Sequence, residues 1–502
     1  MEYFINCNTS SLAQYTTPLD KNKAEHLYRR LGFSASVQTI NAAIGQSADA
    51  LVDNLINEAV NTAPIPPPLW ADWTDANYPE DDDLRRDLIR AQAEEFATTY
   101  GNVILNNGLK DRLSFFWSNH FVTEYNIYDC NSFLYHYINC LQRNAIGNFR
   151  TFVSEIGLTS AMLRYLDGVF NRRNRPNENY ARELYELFTL GEGNGYTEDD
   201  IVETAKALTG YTERGEIGCT PITYDPEEFN TDQKTIFGQT GNWGYNDVIT
   251  ILFTQKEDLI ANFICKKLYE FFVHPDSSDT NSNAPQIIAE LATTFVASNF
   301  ELAPVLSQLF KSQHFFDETA IGVIIKSPVD LYFNFLTETN FTHNDGLVLN
   351  ILDAASLIGQ RLFDPVDVAG WQRDREWIST NFMVGRWLTM ETLVQLFYQE
   401  DTEQFRTLGI EATGPNGAIE SDPAVVARAI IDKFLPKGLL TEADYTIAIN
   451  VFREPFEDNA VYADDPGNPS GISSWNMLLE DANSQVLLLL LHLVKEPEFQ
   501  LK

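Results

Sequence analysis

Apolar residues recur every three or four positions along most of the chain, which is the period of an amphipathic α-helix. Two stretches break this period: one is rich in proline and acidic residues, the other in Thr, Gly and Pro with short β-branched runs. We expect one continuous globular unit with five successive parts: N-terminal helices (1–60), a Pro-rich acidic loop (61–84), a helical core (85–215), a loop and β-hairpin insertion (216–244) and a C-terminal helical part (245–502).

The order of these elements indicates the fold class. Strands do not alternate with helices, which argues against a Rossmann fold or an α/β barrel. No repeat of fixed period indicates a solenoid. The pattern therefore predicts a mainly α protein, an irregular multi-helix array with a small β-hairpin/loop insertion.

Composition narrows the functional classes. The 502-residue chain has 71 acidic and 35 basic residues, a formal net charge of −36. Such a surface repels nucleic acid and anionic lipid, so we expect neither as a partner. No run approaches the roughly 20 apolar residues of a membrane span. Because the first residues lack a secretory signal, the chain as written is expected to be cytoplasmic, and exported only if a preceding segment was removed.

The five cysteines follow no metal-binding spacing. Cys7, Cys130, Cys140, Cys219 and Cys265 include no Cys-x-x-Cys pair, which makes a zinc site built from thiolates improbable. We expect free, buried thiols. A single disulfide between Cys130 and Cys140 is the alternative.

The stretch 175–191, RPNENYARELYELFTLG, has the pattern of a helix that ends at a glycine. Glu178, Arg182 and Glu186 are spaced four residues apart. Residues at this spacing lie on the same side of a helix, so the three side chains are expected to form a row of surface ion pairs.

One acid of this helix does not fit the surface row. On a wheel of about 100° per residue, Glu183 falls inside the apolar arc between Leu187 and Leu190, with Asn179 and Glu186 at its edge. A buried carboxylate must be paired, hydrogen-bonded or protonated. Glu183 therefore requires a partner from elsewhere in the chain: an Arg or Lys, a His, or a metal ion.

The most suggestive partner is His120, a single histidine among aromatic residues in FFWSNHF. Such a histidine is more often a satisfied core residue than a ligand. With Asn119, Asn179, Glu183 and Glu186, however, it has the groups of an acid/base site or of a divalent-metal site whose candidate ligands are His120, Glu183 and Glu186. The Glu-x-x-His motif of di-iron bundles is missing, so the metal signal is weak.

Several ordered motifs resemble a known family. RPNENYARELYELFTLG, the following YTEDDIVETAKALTGY, and further matches such as HLYRRLGFSAS, FWSNHF, DQKTIFG, ANFICKKLYEFFV and GQRLFDPVDVAGWQRDREWI are similar to the domain-of-unknown-function 1800 (DUF1800) family of bacterial proteins. The resemblance spans nearly the whole chain. It implies no established activity, but members are often exported and encoded beside an uncharacterised family of sulfatase-like appearance.

The chain departs from the family pattern at two motifs. Thr231 and Asp232 stand ahead of Lys234, where the family has His-Asp, and Pro365-Val366 replaces a double proline. The missing histidine lowers the expectation of a histidine-dependent metal centre.

Two functional hypotheses follow. The first is an enzyme with a carboxylate/His site, acting with or without a divalent metal. Its catalytic candidates are His120, Glu183 and Glu186, supported by Asn119, Asn179, Arg182, Asp232, Lys234 and Trp371. The second is a non-catalytic helical binding or scaffold protein that partners an enzyme, such as the sulfatase-like neighbour, or a surface polymer. Its contacts are expected on the loops 61–82 and 457–474.

Overall fold

The protein is described by a computed structural model that covers residues 9–211, 218–454 and 475–502. The described residues contain 22 α-helices and one two-stranded sheet. The predicted mainly α fold with a small hairpin is therefore confirmed. The division into five parts stays a prediction, and the loop 457–474 lies outside the described residues.

The first half of the chain contains eleven helices. They are α1 (Lys21–Leu31), α2 (Val37–Ala43), α3 (Ala48–Asn61), α4 (Asp82–Asn106), α5 (Leu109–Ser118), α6 (Tyr125–Tyr128), α7 (Asn131–Asn144), α8 (Phe149–Ile156), α9 (Ser160–Tyr165), α10 (Asn179–Glu183) and α11 (Glu198–Ala207). A π-helical segment, Leu184–Thr189, continues α10 without a break. All ten residues of α5 are buried, so this helix lies at the centre of the array.

The hairpin pairs β1 (Lys234–Ile236) with β2 (Gln239–Gly241) in antiparallel register, with Thr235 opposite Thr240. Its two turn residues, Phe237 and Gly238, both have positive φ angles, as a tight type I′ turn requires. The hairpin packs on α11.

Eleven further helices follow. They are α12 (Tyr245–Gln255), α13 (Glu257–Phe272), α14 (Ala284–Ala297), α15 (Leu302–Phe310), α16 (Pro328–Thr339), α17 (Asp345–Leu357), α18 (Thr380–Glu400), α19 (Glu403–Thr413), α20 (Pro423–Phe434), α21 (Glu442–Arg453) and α22 (Ala482–Leu493). Short 3₁₀ helices occupy Asp75–Asn77, Gly168–Phe170, Pro226–Glu228, Glu318–Ala320, Asp374–Ile378 and Pro497–Gln500.

Helix packing brings distant parts of the chain together. Helix α13 packs on α14, α5 on α7, and α4 on α17, while α19, α20, α21 and α22 pack on one another and contact α16 and α18. None of the helices in the described ranges combines the length and apolar character needed to cross a bilayer.

A disulfide joins Cys130 to Cys219, so the expectation of free thiols is wrong for these two residues, and the alternative of a Cys130–Cys140 bond is wrong as well. The physical reason is distance. Cys130 is the N-cap of α7 and Cys140 lies ten residues further along the same helix, or about 15 Å at 1.5 Å per residue, whereas bonded cysteines need Cα atoms within about 7 Å. Cys140 and Cys265 are free and buried, as expected.

Candidate functional site

A cavity of about 170 Å³ lies between α5, α13, the start of α16 and the loop that contains Trp371. Its walls are aromatic, formed by Phe115, Phe116, Phe271, Trp371 and Trp377. Titratable side chains interrupt these walls: His120, Lys267, Glu270, Asp330, Arg373, Asp374 and Lys502. This combination of apolar walls and a few polar groups is typical of small-molecule sites.

His120 follows the C-terminal end of α5, where its backbone N–H donates to Trp117 O at 3.0 Å. The ring is 3% exposed, and it packs edge-on against Phe121 with centroids 4.5 Å apart. Burial lowers the pKa of His120 well below 6.5, and the positive charges of Lys267 and Arg373 lower it further. The imidazole is therefore neutral at pH 7.

The hydrogen bond of His120 fixes its tautomer. Nε2 lies 3.1 Å from Phe188 O. A carbonyl oxygen only accepts, so Nε2 carries the proton and donates it. Nδ1 is then an unprotonated acceptor. It is buried and has no hydrogen-bond partner in the described part of the chain.

The π-helical segment supplies the carbonyl that orients His120. In this segment Leu190 N donates to Tyr185 O at 2.8 Å, five residues back, and the Thr189 hydroxyl donates to Leu184 O at 2.5 Å. The carbonyl of Phe188 accepts the hydrogen bond from His120 Nε2, and the neighbouring Leu187 carbonyl oxygen lies 3.5 Å from Lys267 Nζ. π-Helical turns are rare and concentrate at functional sites.

Lys267 projects from α13 beside the ring of Phe263, with Nζ 4.9 Å from the ring centroid. Within the described ranges, no carboxylate lies within 4.0 Å of this amine. Burial lowers the pKa of Lys267 to about 7, and nearby Arg373 acts in the same direction against the opposing effect of Glu270.

Arg373 is an exposed residue at the rim of the cavity. Its Nη1 lies 4.0 Å from Glu270 Oε2, the limit of an ion pair. Glu270 also accepts a 2.5 Å hydrogen bond from Ser277 and lies 3.8 Å from Lys266 Nζ. The Arg373 guanidinium therefore shares the Glu270 carboxylate with Ser277 and Lys266.

The other end of the cavity contains a buried ion triad. Asp330 Oδ1 lies 2.7 Å from Arg112 Nη1, and Asp330 Oδ2 accepts from Lys502 Nζ at 2.6 Å. Arg112 and Lys502 hold the pKa of Asp330 well below its usual range although burial alone would raise it. Burial and Arg112 lower the pKa of Lys502 to about 7.

Comparison with family models identifies the family of the chain. The family model "Protein of unknown function (DUF1800)" matches residues 26–501. The chain belongs to the DUF1800 family. Among curated proteins and solved structures, nothing matches it. The resemblance to this family is thus confirmed. The family model carries no activity, so the site of this DUF1800 protein is the basis for its function.

Three of the predicted site residues line the cavity: His120, Asn119 and Trp371. Asn119 Oδ1 accepts from the backbone N–H of Trp371 at 2.6 Å, and Trp371 Nε1 donates to Arg361 O at 2.9 Å. Gly370, with a φ of 100°, lets the loop pass directly over Asn119. These contacts connect two DUF1800 motifs that are far apart in sequence.

The two predicted glutamates are not among the residues that line the cavity. Glu183 is half-buried, and burial followed by the charge of Glu186 raises the pKa of its carboxyl. Glu186 belongs to the expected surface row. Arg182 Nη1 and Nη2 lie 3.3 Å from Glu186 and Glu178, and Arg182 also pairs with Glu198 at 2.8 Å.

The remaining support residues serve local structure. Lys234 is buried and donates to Asn230 O at 2.5 Å and to Asn242 Oδ1 at 3.0 Å. Asp232 accepts from Asn230 at 3.2 Å. Asn179 lines a separate concave surface beside α10, the helix of the motif RPNENYARELYELFTLG, which we call the signature helix. The catalytic roles assigned to these residues stay predictions.

Metal-ligand groups do not converge in the described residues. No three His, Cys, Asp or Glu side chains there lie close enough together to hold a metal ion. In the cavity, His120 instead has cationic neighbours, which disfavour a cation.

Sequence reasoning missed Lys267, Glu270, Arg373 and Lys502. A signal for Lys267 was present, because it falls on the apolar stripe of α13 between Ile260, Ile264 and Phe271, at helical spacing. The same wheel that singled out Glu183 would have found it. Arg373 and Lys502 reach the cavity through loop and chain geometry that carries no periodic signal.

Proposed function

We propose that the cavity is the active site of an enzyme that binds a small organic anion and moves a proton to or from it through His120. The observation that carries the proposal is the unprotonated, unpartnered Nδ1 of a buried histidine facing a cavity. A buried polar atom without a hydrogen-bond partner is unfavourable and needs a reason. A substrate that binds there and donates a hydrogen bond to Nδ1 supplies one.

Carboxylates and cations are equally numerous in the cavity lining, three of each, so the preference for an anion rests on the cations that lack a close partner. Asp330 is shared by Arg112 and Lys502, so this triad has no spare negative charge. Lys267 has no ion-pair partner within 4.0 Å in the described ranges, and Arg373 holds its carboxylate only loosely. Cationic side chains in an apolar cavity attract a carboxylate strongly because little water screens them.

The volume limits the size of the ligand. A cavity of about 170 Å³ has room for about five or six water molecules at about 30 Å³ each. A molecule of that volume with one carboxylate and a short carbon chain fits the aromatic walls.

The test combines binding with proton exchange. Wild-type protein is incubated in D2O with a panel of small carboxylic acids that carry a C–H bond next to a carbonyl group, and deuterium incorporation is followed by NMR. Binding is followed through the fluorescence of Trp371 and Trp377. We expect His120→Gln, which retains a donor for Phe188 O, to bind the same acid but to exchange its protons at least a hundredfold more slowly.

A matched control is His136→Gln, since His136 is exposed and lies outside the cavity. It should behave as wild type. If no acid of the panel binds or exchanges, or if His120→Gln exchanges as fast as wild type, the proposal is wrong.

A second candidate function is a binding role towards an acidic partner, including the sulfatase-like neighbour expected from the family resemblance. The concave surface beside the signature helix, about 870 Å³, is lined by Arg172 and Arg175. Both are exposed, and neither forms an ion pair within the described ranges. Pull-down with wild type and with Arg172→Glu/Arg175→Glu tests this role: capture that survives both charge reversals contradicts it.

The disulfide supports export. Disulfides persist in oxidising compartments and are rare in the cytosol, so the Cys130–Cys219 bond favours a periplasmic or extracellular location for the mature protein. Thiol labelling of the protein in separated cell fractions tests the location. A fully reduced cytosolic pool would contradict it.

A further inference from the structure

We infer that Lys267 is a nucleophilic amine that forms an imine with the carbonyl carbon of a small 2-oxo acid bound in the cavity. The inference rests on the proposed function of the same cavity and names its substrate class and a second reacting group. Four features of the site support it: the isolation of the amine, the nearby base, the arginine at the rim and the contrast with the adjacent lysine.

The amine of Lys267 is isolated from the groups that normally keep a lysine protonated. Its only hydrogen-bond acceptor in the described part of the chain is Leu187 O, at a long 3.5 Å. The ring of Phe263 lies beside it, and the cavity that it enters has Phe116 and Phe271 in its wall. A desolvated lysine near another cation is the standard arrangement for a nucleophilic amine, because part of it is unprotonated at neutral pH.

Lys266 provides an internal comparison. It occupies the adjacent position of α13 but is exposed, and its Nζ lies 3.8 Å from Glu270 Oε1. The two lysines have the same chemistry and differ in surroundings. Only Lys267 faces the cavity.

His120 is placed to handle protons for this amine. Its ring donates to Phe188 O, while Lys267 donates to the preceding carbonyl, Leu187 O. Two consecutive carbonyls of the π-helical segment thus contact the base and the amine, both residues line the cavity, and the charge of Lys267 acts on the His120 ring. Nδ1 of His120 is free to accept a proton.

The reaction balances without an oxidant or reductant. The lone pair of Lys267 Nζ attacks the carbonyl carbon, a C–N bond forms, and the C=O electron pair moves to oxygen. His120 Nδ1 accepts a proton from nitrogen and returns it to the oxygen, which gives a carbinolamine. Loss of that hydroxyl as water, with removal of the second nitrogen proton, gives the C=N bond. The products are the imine and one water molecule.

Arg373 explains why the carbonyl compound should carry a carboxylate. It lies at the rim, and its contact with Glu270 is 4.0 Å long. Its guanidinium therefore has donors available for a bidentate hydrogen bond to a carboxylate. A 2-oxo acid places this carboxylate one bond from the carbonyl carbon, which suits the small cavity.

The experiment traps the imine by reduction. Full-length protein is incubated near pH 7 with pyruvate and sodium cyanoborohydride, and modified lysines are located by peptide mass spectrometry. We expect one reduced pyruvate per chain, on Lys267, with at least tenfold less on Lys266. Lys267→Arg should abolish this labelling, whereas the matched variant Lys266→Arg should retain it.

The carboxylate is tested with hydroxyacetone, an uncharged carbonyl compound of similar size. Wild type should be labelled at Lys267 at least tenfold faster by pyruvate than by hydroxyacetone, a difference of about 1.4 kcal/mol. Arg373→Gln should remove this preference. An unchanged preference in Arg373→Gln would contradict the role of the guanidinium.

Failure of the imine is distinguishable from failure of the proposed function. Peptide mapping of wild type does not depend on any variant folding, and labelling spread evenly over exposed lysines would overturn the inference. If pyruvate changes the tryptophan fluorescence but Lys267 is not trapped, binding stands and the imine is wrong. If pyruvate neither binds nor reacts while other acids of the panel exchange protons, the 2-oxo acid inference alone is overturned.

Discussion

Two lysines line the cavity, Lys502, which is buried, and Lys267, which is partly buried, and they differ in whether a carboxylate pairs with them. Lys502 lies 2.6 Å from the carboxylate of Asp330, whereas Lys267 has no carboxylate within 4.0 Å among the described residues. Burial lowers the pKa of both amines to about 7. The Asp330 carboxylate stabilises the buried charge of Lys502, so that end of the cavity requires no ligand. Lys267 has no such carboxylate in the described part of the chain, and we therefore place the chemistry there.

The comparison also explains the aromatic surroundings. Arg112, which completes the triad, lies over the rings of Phe33 and Phe271 at 4.5 and 4.7 Å. Phe271 is shared with the cavity. The same low-polarity environment therefore strengthens the ion pairs at one end and weakens the protonation of Lys267 at the other.

The largest expected effect comes from breaking the paired end. Asp330→Asn leaves Arg112 and Lys502 buried without a counter-charge, so we expect the free energy of unfolding to fall by about 3–5 kcal/mol. Urea denaturation measures it. Glu442→Gln, which breaks the exposed pair with Arg428, is the control and should leave the free energy of unfolding nearly unchanged, because solvent screens that pair. Equal losses would show that the triad is not a special feature.

At Lys267 we expect a substitution to change the free energy of unfolding in the opposite direction. Lys267→Met removes a partly buried amine that lacks a carboxylate partner while keeping its apolar stem, and should raise the free energy of unfolding by about 1–2 kcal/mol at pH 7. Lys266→Met should change it by less than about 0.5 kcal/mol, because that residue is exposed. A large loss in Lys267→Met would mean that the amine is paired in solution.

His120 gives a pH signature. Its pKa is lowered in the folded protein, so below pH 6.5 the unfolded chain binds a proton that the folded chain does not. Stability should therefore fall as the pH drops from 6.5 towards the folded pKa, by about 1.4 kcal/mol per pH unit, with no contribution above that window. His120→Gln should remove this part of the slope and leave the part from buried His26, whose pKa burial also lowers. If the pH dependence of stability is unchanged in His120→Gln, then His120 is not a histidine whose pKa is lowered by folding.

The smallest effect is expected at Glu183. Burial raises the pKa of its carboxyl, and Glu186 adds to the shift, so the charge it carries above that pKa is unfavourable in the folded state. Glu183→Gln should leave the free energy of unfolding at pH 7 within about 0.5 kcal/mol of wild type, or slightly higher. Glu186→Gln, which loses contacts to Arg182 and Tyr196, is the comparison and should lose up to about 1 kcal/mol. A loss above that in Glu183→Gln would reveal a structural partner.

Periodicity was sufficient for the fold class because helices repeat their apolar face many times. It also found a charged residue on an apolar helix face, Glu183, and would have found Lys267 on α13 by the same wheel. It could not bring the cavity together. Trp371 and Asn119 are 252 residues apart in sequence, and only the folded chain shows that they touch. The Cys130–Cys219 pairing, which joins α7 to the segment after α11, was equally invisible.

The π-helical segment has a consequence for how this site can change. A π turn contains one residue more than the α turn it replaces. Removing a single residue from Leu184–Thr189 would restore regular α geometry but rotate the carbonyls of Leu187 and Phe188 by about 100°, away from Lys267 and His120. Substitutions here alter side chains and leave those carbonyls in place. The positions of these two carbonyls thus depend on the number of residues in the segment. Deleting one residue, even without changing any other side chain, should therefore be more damaging to the site than most point mutations.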